Sequence, residues 1–420
     1  MIGERRKIRL AKFLDDRVGP VLIFALRLFE ALLGRPHKRF ADQDPAPERV
    51  RKILFIKFWG MGSVVLSEPA VRHLNSKYSR ASIHYLTLRR NRELFSLVAG
   101  VSKVHTLSFG SWTSLLTDSL RLVKTLRREQ FDLVFDGEFF VNYSGLVARA
   151  VCGSVIGFSR TDGRKKMIQD VSVPFRDDRH AATQFLGLVS AGALSDDGFA
   201  KPKLALQGSE TGPPSETTGW TIFGPAQRPY LVMNVNASPL AVERRWSGDN
   251  FVRLGRALLE AYNVDIVLTG SESESGYVGV VERGFDNMRV HNLCGELSLR
   301  GLASLLREAA CLISNDSGPI HLASALDTPV VGFYGPETPL RYGPLSRRAL
   351  VFHEDLWCSP CMSVDNAKTV HCVNDLACMK RIDPVFVIPR VKRFIEEHQL
   401  LNLRQKRPAT ARSAVDRRYA

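Results

Sequence analysis

Short apolar runs closed by Gly, Asp or Ser recur along the chain, and between them lie longer stretches whose apolar residues are spaced three and four apart. Such runs read as buried strands and the wider spacing as amphipathic helices. Strands are expected at residues 52–57, 81–87, 103–107, 133–135 and 154–156, with helices at 115–129 and 143–151 among them. A polar, Gly/Pro/Thr-rich stretch at 207–229 interrupts the pattern and reads as a linker. The alternation then resumes, with strands expected at 230–235, 265–269, 311–314 and 329–334 and helices at 250–262 and 299–310. Strands alternating with helices imply parallel sheets covered on both faces, an α/β protein. A chain of 420 residues exceeds a single core. The expected division is an extension at 1–50, a first domain at 51–206, the linker, a second domain at 230–399 and a basic tail at 400–420 that stays disordered.

The extension carries an apolar segment, residues 18–34, that is too short to span a bilayer and contains Arg27 and Glu30. At about 100° per residue, Val21, Leu22, Ala25, Leu28, Phe29, Leu32 and Leu33 share one face and Arg27 and Glu30 the other. Arg5, Arg6, Lys7, Arg9 and Lys12 precede it, and Arg35, Lys38 and Arg39 follow. Two readings stand, an anchor lying in a membrane interface and an extra helix packed on the protein.

Charge changes the picture less than its total promises. The net charge is +15, but residues 1–52 hold 13 Lys/Arg against 7 Asp/Glu and residues 400–420 hold 6 against 1. The excess sits at the two ends, where it favours an anionic membrane surface over nucleic acid. Seven cysteines, an odd number, and no segment shaped like a cleavable signal fit a reducing cytoplasm.

The most informative stretch runs from Leu312 to Pro336. A buried strand ends at Asp316, Ser317-Gly318 make a tight turn, and a helix opens at Pro319, where proline costs no hydrogen bond. Free amides at that helix start, with its partial positive charge, cradle a phosphate, and Gly318 admits close backbone approach. A second strand delivers Gly335-Pro336 to the same sheet edge, where open α/β sheets bind ligands.

This segment resembles the signature of glycosyltransferase family 9, the ADP-heptose:lipopolysaccharide heptosyltransferases, in which Asp-[Ser/Thr]-Gly-x-x-His-x-x-x-Ala precedes a strand and Gly-Pro. The run 53–57 with Gly60-Met61-Gly62 and Pro69-Ala70, the run 131–136 with Ser144 and Arg149, Ile156-Gly157-Phe158, His180 and Arg244-Arg245-Trp246 fall in the family's order, over residues 52–395. The resemblance implies the GT-B fold, two Rossmann-like doubly wound domains facing a cleft. It implies an inverting transferase that needs no metal, taking a sugar nucleotide donor and an anionic glycolipid acceptor on the cytoplasmic face of the inner membrane, as a peripheral protein. Ser317, Gly318, Asp316 and His321 would face the donor's diphosphate and sugar, Arg244 would neutralise the leaving diphosphate, and Glu274 would accept ribose hydroxyls. Packing for His321, a surface position for Arg244 and helix capping by Asp316 are the structural alternatives. The acceptor's acidic groups would meet Arg89, Arg90, Arg92, Arg160, Arg164, Lys165 and Lys166.

One position departs from the family. Where the Gly-rich turn continues Gly-Asp, with an Asp that resembles the general base, this chain has Gly62-Ser63. General-base help is worth about 10²–10⁴-fold, and a serine hydroxyl does not hold a proton at neutral pH unaided. Asp136, Glu138 and Glu68 are the carboxylates weighed in its place, and a member that binds donor but has lost chemistry is the alternative function. A nicotinamide oxidoreductase is disfavoured because the first turn lacks a full G-x-G-x-x-G with its acidic partner.

Cys358, Cys361, Cys372 and Cys378 form a C-x2-C-x10-C-x5-C pattern. Four thiolates so spaced suit a closed, structural zinc site, with reduced thiols or disulfides as the other readings.

Overall fold

The structure, a computed structural model, describes residues 2–32, 47–108, 112–139, 141–159, 164–190, 201–205, 228–237, 241–363, 370 and 372–402. The expected linker and the basic tail lie almost wholly outside these residues.

Twelve strands form two six-stranded sheets. The first holds β1 (Lys52–Ile56), β2 (Ser82–Leu88), β3 (Lys103–Leu107), β4 (Leu133–Asp136), β5 (Val155–Ser159) and β6 (Val171–Pro174). The second holds β7 (Tyr230–Asn234), β8 (Asp265–Leu268), β9 (Val290–Asn292), β10 (Cys311–Asn315), β11 (Val330–Tyr334) and β12 (Ala349–His353). Every pairing is parallel. The orders, β3-β2-β1-β4-β5-β6 and β12-β11-β10-β7-β8-β9, are the same arrangement built twice. In each, the order reverses between the first and fourth strands of the lobe, β1/β4 and β7/β10. Loops leaving the carboxyl ends of those strands diverge there and open a crevice.

The central strands are continuously apolar because both faces are covered, and β7, β10 and β11 are buried throughout. Three strands escaped the sequence reading, β6, β9 and β12, and each is an edge strand. β6 and β9 are only partly buried and carry no apolar run, whereas β12 carries a four-residue run, Ala349 to Phe352, that the reading passed over. The helices start at local signals, Ser247 capping Gly248–Ala261, Ser298 capping Leu299–Glu308 and Asp383 capping Pro384–Glu397.

One apolar cluster runs from Val50 and Phe55 of the first lobe to Leu305, Leu322 and Tyr334 of the second, so the lobes pack as well as face each other. Polar contacts lock the same junction. The Glu93 carboxylate accepts the Leu299 and Arg300 amides at 3.1 Å, adding negative charge to the start of the Leu299–Glu308 helix. His180 Nδ1 accepts from the Ala182 amide while its Nε2, 3.1 Å away, donates to the Gly343 carbonyl. Arg341 reaches Asp177 at 2.9 Å and Glu337 at 2.7 Å.

Candidate functional site

The Gly-rich turn and the Asp316–Gly318 turn each leave the switch point of their own sheet, and the packing of the lobes sets them against one another. Gly60, at φ 80°, sits in a region that a side chain strains, and it starts the Met61–Leu66 helix. A side chain on Gly62 would overlap the His321 ring, and one on Gly318 would overlap Met61. The two motifs therefore meet closely: at Gly62 the His321 ring leaves no room for a side chain, whereas at Gly318 the clash is with the movable end of Met61.

On the second lobe, β10 ends at Asn315 and the Gly318–Ala325 helix is capped by Ser317, whose side chain makes no capping bond. The capping expectation for Asp316 does not hold, because its carboxylate turns instead to Arg244, with Nη1 at 3.1 Å. Both partners are largely buried, so Arg244 is not a solvated surface cation. Asn234 Nδ2 donates to the Ser317 hydroxyl at 2.9 Å and fixes the turn from the neighbouring strand. No backbone acceptor engages the Ser317 or Gly318 amide among the described residues, and Pro319 has no N–H to offer. His321 is buried, its ring edge-on to Tyr342.

Sequence reasoning passed over the polar residues that complete this edge. Asn315 accepts from the Trp246 amide at 2.8 Å and donates to the Val235 and Asn236 carbonyls, tying β7, β10 and the Arg244-Arg245-Trp246 segment together. Trp246 is core, stacked on Phe333 at 4.2 Å, which explains why the Arg beside it is held in place. Arg245 lies over the Tyr277 ring at 4.1 Å. Asn236 Oδ1, Thr269 Oγ1, Arg244 Nε and Arg245 Nε are buried without a protein partner. Buried polar atoms are rarely left so, and these four lie around the ends of β7, β8 and the Arg244 segment. The legible signal was Asn234 and Asn236 at the end of an apolar strand. Glu274 closes a capping box with Ser271 at 2.8 Å, two residues beyond Thr269, and Gly335 follows β11 and packs against Met379.

On the first lobe, the carboxylates weighed as bases are all engaged. Glu138 is fully buried, accepting from the Phe58 and Trp59 amides at 2.6 and 3.0 Å and pairing with Lys57 at 2.8 Å. Asp136 is fully buried too, paired with Lys165 at 2.7 Å and bonded to the Ser144 hydroxyl at 3.0 Å. Burial pushes the Asp136 carboxyl above its ordinary value, against the pull of Lys165 and its hydrogen bonds. Glu68 accepts from the Lys203 amide and Arg72. Glu138 holds the Phe58–Trp59 segment that leads into the Gly-rich turn, and both Asp136 and Glu138 are closed to solvent. Ser63, on the first turn of the Met61–Leu66 helix, is half-buried.

The acceptor-side cations separate as well. Lys165 is spent on Asp136, Arg90 lies 5.6 Å from the centre of the Trp59 ring, and Arg160 falls outside the described residues.

Behind Pro336, Cys358, Cys361, Cys372 and Cys378 line one cavity of about 20 Å³, with no disulfide among them. Burial and then the neighbouring sulfurs push the Cys378 thiol up to about 11. The Asn374 side chain and the Leu376 amide donate to Cys358 and Cys372. The four sulfurs line this cavity without converging on one point: among the described residues the group whose ligand atoms lie within 4.8 Å of one another is His84, His105 and Glu129.

Comparison with known proteins places these features in context. The family model described as glycosyltransferase family 9 (heptosyltransferase) matches residues 119–371. Lipopolysaccharide heptosyltransferase 2 of Salmonella typhimurium is 23% identical over 309 residues, covering 71% of this chain and 87% of that protein. The protein of the same name from Escherichia coli K12 is 25% identical over 315 residues, with 71% and 87% covered. Among solved structures, E. coli ADP-heptose lps heptosyltransferase II superposes with a TM-score of 0.66 at 20% identity, over 83% of this chain and 99% of that one. E. coli heptosyltransferase WaaC with ADP gives 0.61 at 18% identity, over 82% and 99%. The structural likenesses establish the two-domain GT-B fold.

Proposed function

The chain belongs to glycosyltransferase family 9 and is a glycosyltransferase, and from that premise we propose that it moves a heptose-type sugar from a nucleoside diphosphate donor to an anionic glycolipid. ADP-heptose and a lipopolysaccharide core are the donor and acceptor that its relatives' names supply. The observation that carries the reading is the meeting of two switch-point turns. The Ser317 and Gly318 amides, with Arg244 clamped by Asp316, face the Gly60–Gly62 turn of the other lobe.

In the proposed reaction the acceptor hydroxyl oxygen bonds to the sugar's anomeric carbon as the bond from that carbon to the donor phosphate oxygen breaks, the hydroxyl proton passing to water or to the departing diphosphate. Attack from the opposite side inverts the configuration. Charge developing on the diphosphate meets the two amides and Arg244, held in a buried setting where such donors act strongly. In this reading the amides and Arg244 do the work that a metal would otherwise do. The unpaired atoms of Asn236, Thr269, Arg244 and Arg245 are the further donors and acceptors for the nucleotide. A structural zinc at the four cysteines would have to draw their sulfurs closer together than they stand; purified protein carrying about one zinc per chain would support it, and absence of metal would remove this part.

Arg244→Ala and Asp316→Ala are each expected to lower kcat by about 10²–10³-fold on a screened sugar nucleotide, with calorimetry reading donor binding separately. Undiminished turnover in both would sink the site assignment, and an unchanged anomeric configuration in the product would sink inversion.

Ser63 favours a second reading, a member that keeps the donor cradle and has lost transfer. The engagement of Asp136, Glu138 and Glu68 supports it. Donor binding with no transfer to any core acceptor, and transfer restored by Ser63→Asp, would establish that reading over the first.

A further inference from the structure

The Ile2–Leu32 helix docks on the first lobe with its polar side inward. Asp15 accepts the Asn142 and Tyr143 amides at 2.8 Å and so caps the Asn142–Val151 helix, whose own N-cap, Val141, has no side chain to do it. Glu30 pairs with Arg149 at 2.8 Å, Gly19 packs on Asn142, and Ile23 is fully buried. At 100° per residue Asp15, Gly19, Ile23 and Glu30 fall within a sector of about 80°.

The opposite side is apolar and faces outward. Phe13, Val18, Val21, Leu22, Phe24 and Leu28 are 43–64% exposed and spread over about half the helix circumference. Arg17 is the one charged residue with a described side chain inside that sector, and its guanidinium lies 5.5 Å from the centre of the Phe13 ring. A helix held only for packing buries its apolar face; this one presents it to solvent, in a chain with no described helix long and apolar enough to cross a membrane.

We propose that this face is the surface by which the protein lies on a bilayer with anionic headgroups. The charge that brackets it selects that occupant over a second copy of the chain. Arg5, Arg6, Lys7, Arg9 and Lys12 precede the stripe in the sequence and Arg35, Lys38 and Arg39 follow it. Two such basic clusters repel a second copy and attract anionic lipid, at about 1 kcal/mol per cation near the headgroups. The apolar residues enter the acyl boundary to about 5–10 Å while the docked side keeps the first lobe against the surface. The Asp15 and Glu30 contacts hold helix and lobe together, so lipid contact also orients the cleft. The inference draws on the proposed function only in taking a membrane-held glycolipid as acceptor.

The test is sedimentation of the full chain with phosphatidylglycerol/phosphatidylcholine vesicles and with phosphatidylcholine alone, for the native protein and the double variant Val21→Glu/Phe24→Glu. Both positions are exposed, so the variant is expected to fold with an unchanged melting temperature. Native protein is expected to bind the anionic vesicles, and the variant about tenfold or more weakly. Equal binding by the two proteins, or no binding by the native one, would overturn the proposal. So would a native dimer in analytical ultracentrifugation that the variant abolishes, because the stripe would then be a subunit interface. Transfer to a lipid-free acceptor is expected to be the same in both proteins, and its absence would count against the proposed function without touching the membrane result.

Discussion

Ser63 sits where a carboxylate is expected, and the substitutes for it are engaged elsewhere. Ser63→Asp is therefore expected to raise kcat by about 10²-fold with little change in donor affinity, read from steady-state kinetics and calorimetry. A second prediction rests on the buried pair His84 and His105, whose Nδ1 and Nε2 lie 3.1 Å apart on β2 and β3. Burial, then His84 and Lys103, push the His105 imidazole down to about 4, and burial lowers His84 as well. A histidine depressed in the folded state takes up protons first in the unfolded chain. Stability is thus complete above the ordinary value of 6.5 and declines as pH falls from there toward 4. Denaturant midpoints across that range are expected to fall, and to fall less steeply in His105→Gln. Glu129, held by Lys103 and Lys52, is lowered to about 2 and adds a further loss only below about 4.5.

Most strands read from the pattern are buried on both faces, although the partly buried edge strand β3 was read as well. Continuous apolar runs mark β1, β7, β10 and β11 because both faces of a parallel sheet are covered. The edge strands β6 and β9 carry Ser, Pro, His and Asn among their few residues and give no such run, while the run Ala349 to Phe352 of β12 was passed over. The Asp316–Gly318 turn was legible for a similar local reason: strand end, Ser317-Gly318 and Pro319 are consecutive. The first helix was legible in its amphipathicity, while which side would dock depended on Asp15 finding the Asn142–Val151 helix more than a hundred residues away. Asp15→Ala removes that cap, and a loss of about 1 kcal/mol in unfolding free energy is expected from denaturant titration. An unchanged midpoint would mean that the helix is held without it.

The two lobes meet through glycines. Gly62→Ala places a methyl into the His321 ring, so the turn or the lobe contact must shift. Because a misplacement of about 1 Å costs roughly 10²-fold in rate, activity is expected to fall far more than melting temperature. Equal losses in both would show a merely structural contact. Local order along the chain determined the α/β alternation, the two-domain count, the family resemblance and the Asp316–Gly318 turn, since each depends on neighbouring residues and period. Contacts between distant residues decided the rest. The sequence showed Asp136 and Glu138 as carboxylates at a strand end, but folding placed Lys165 and Lys57 on them and closed them to solvent. It showed Arg244 as one of two adjacent cations, and folding assigned Asp316 to it. A side chain's charge is local, whereas its partner, its burial and therefore its availability are properties of the packed chain.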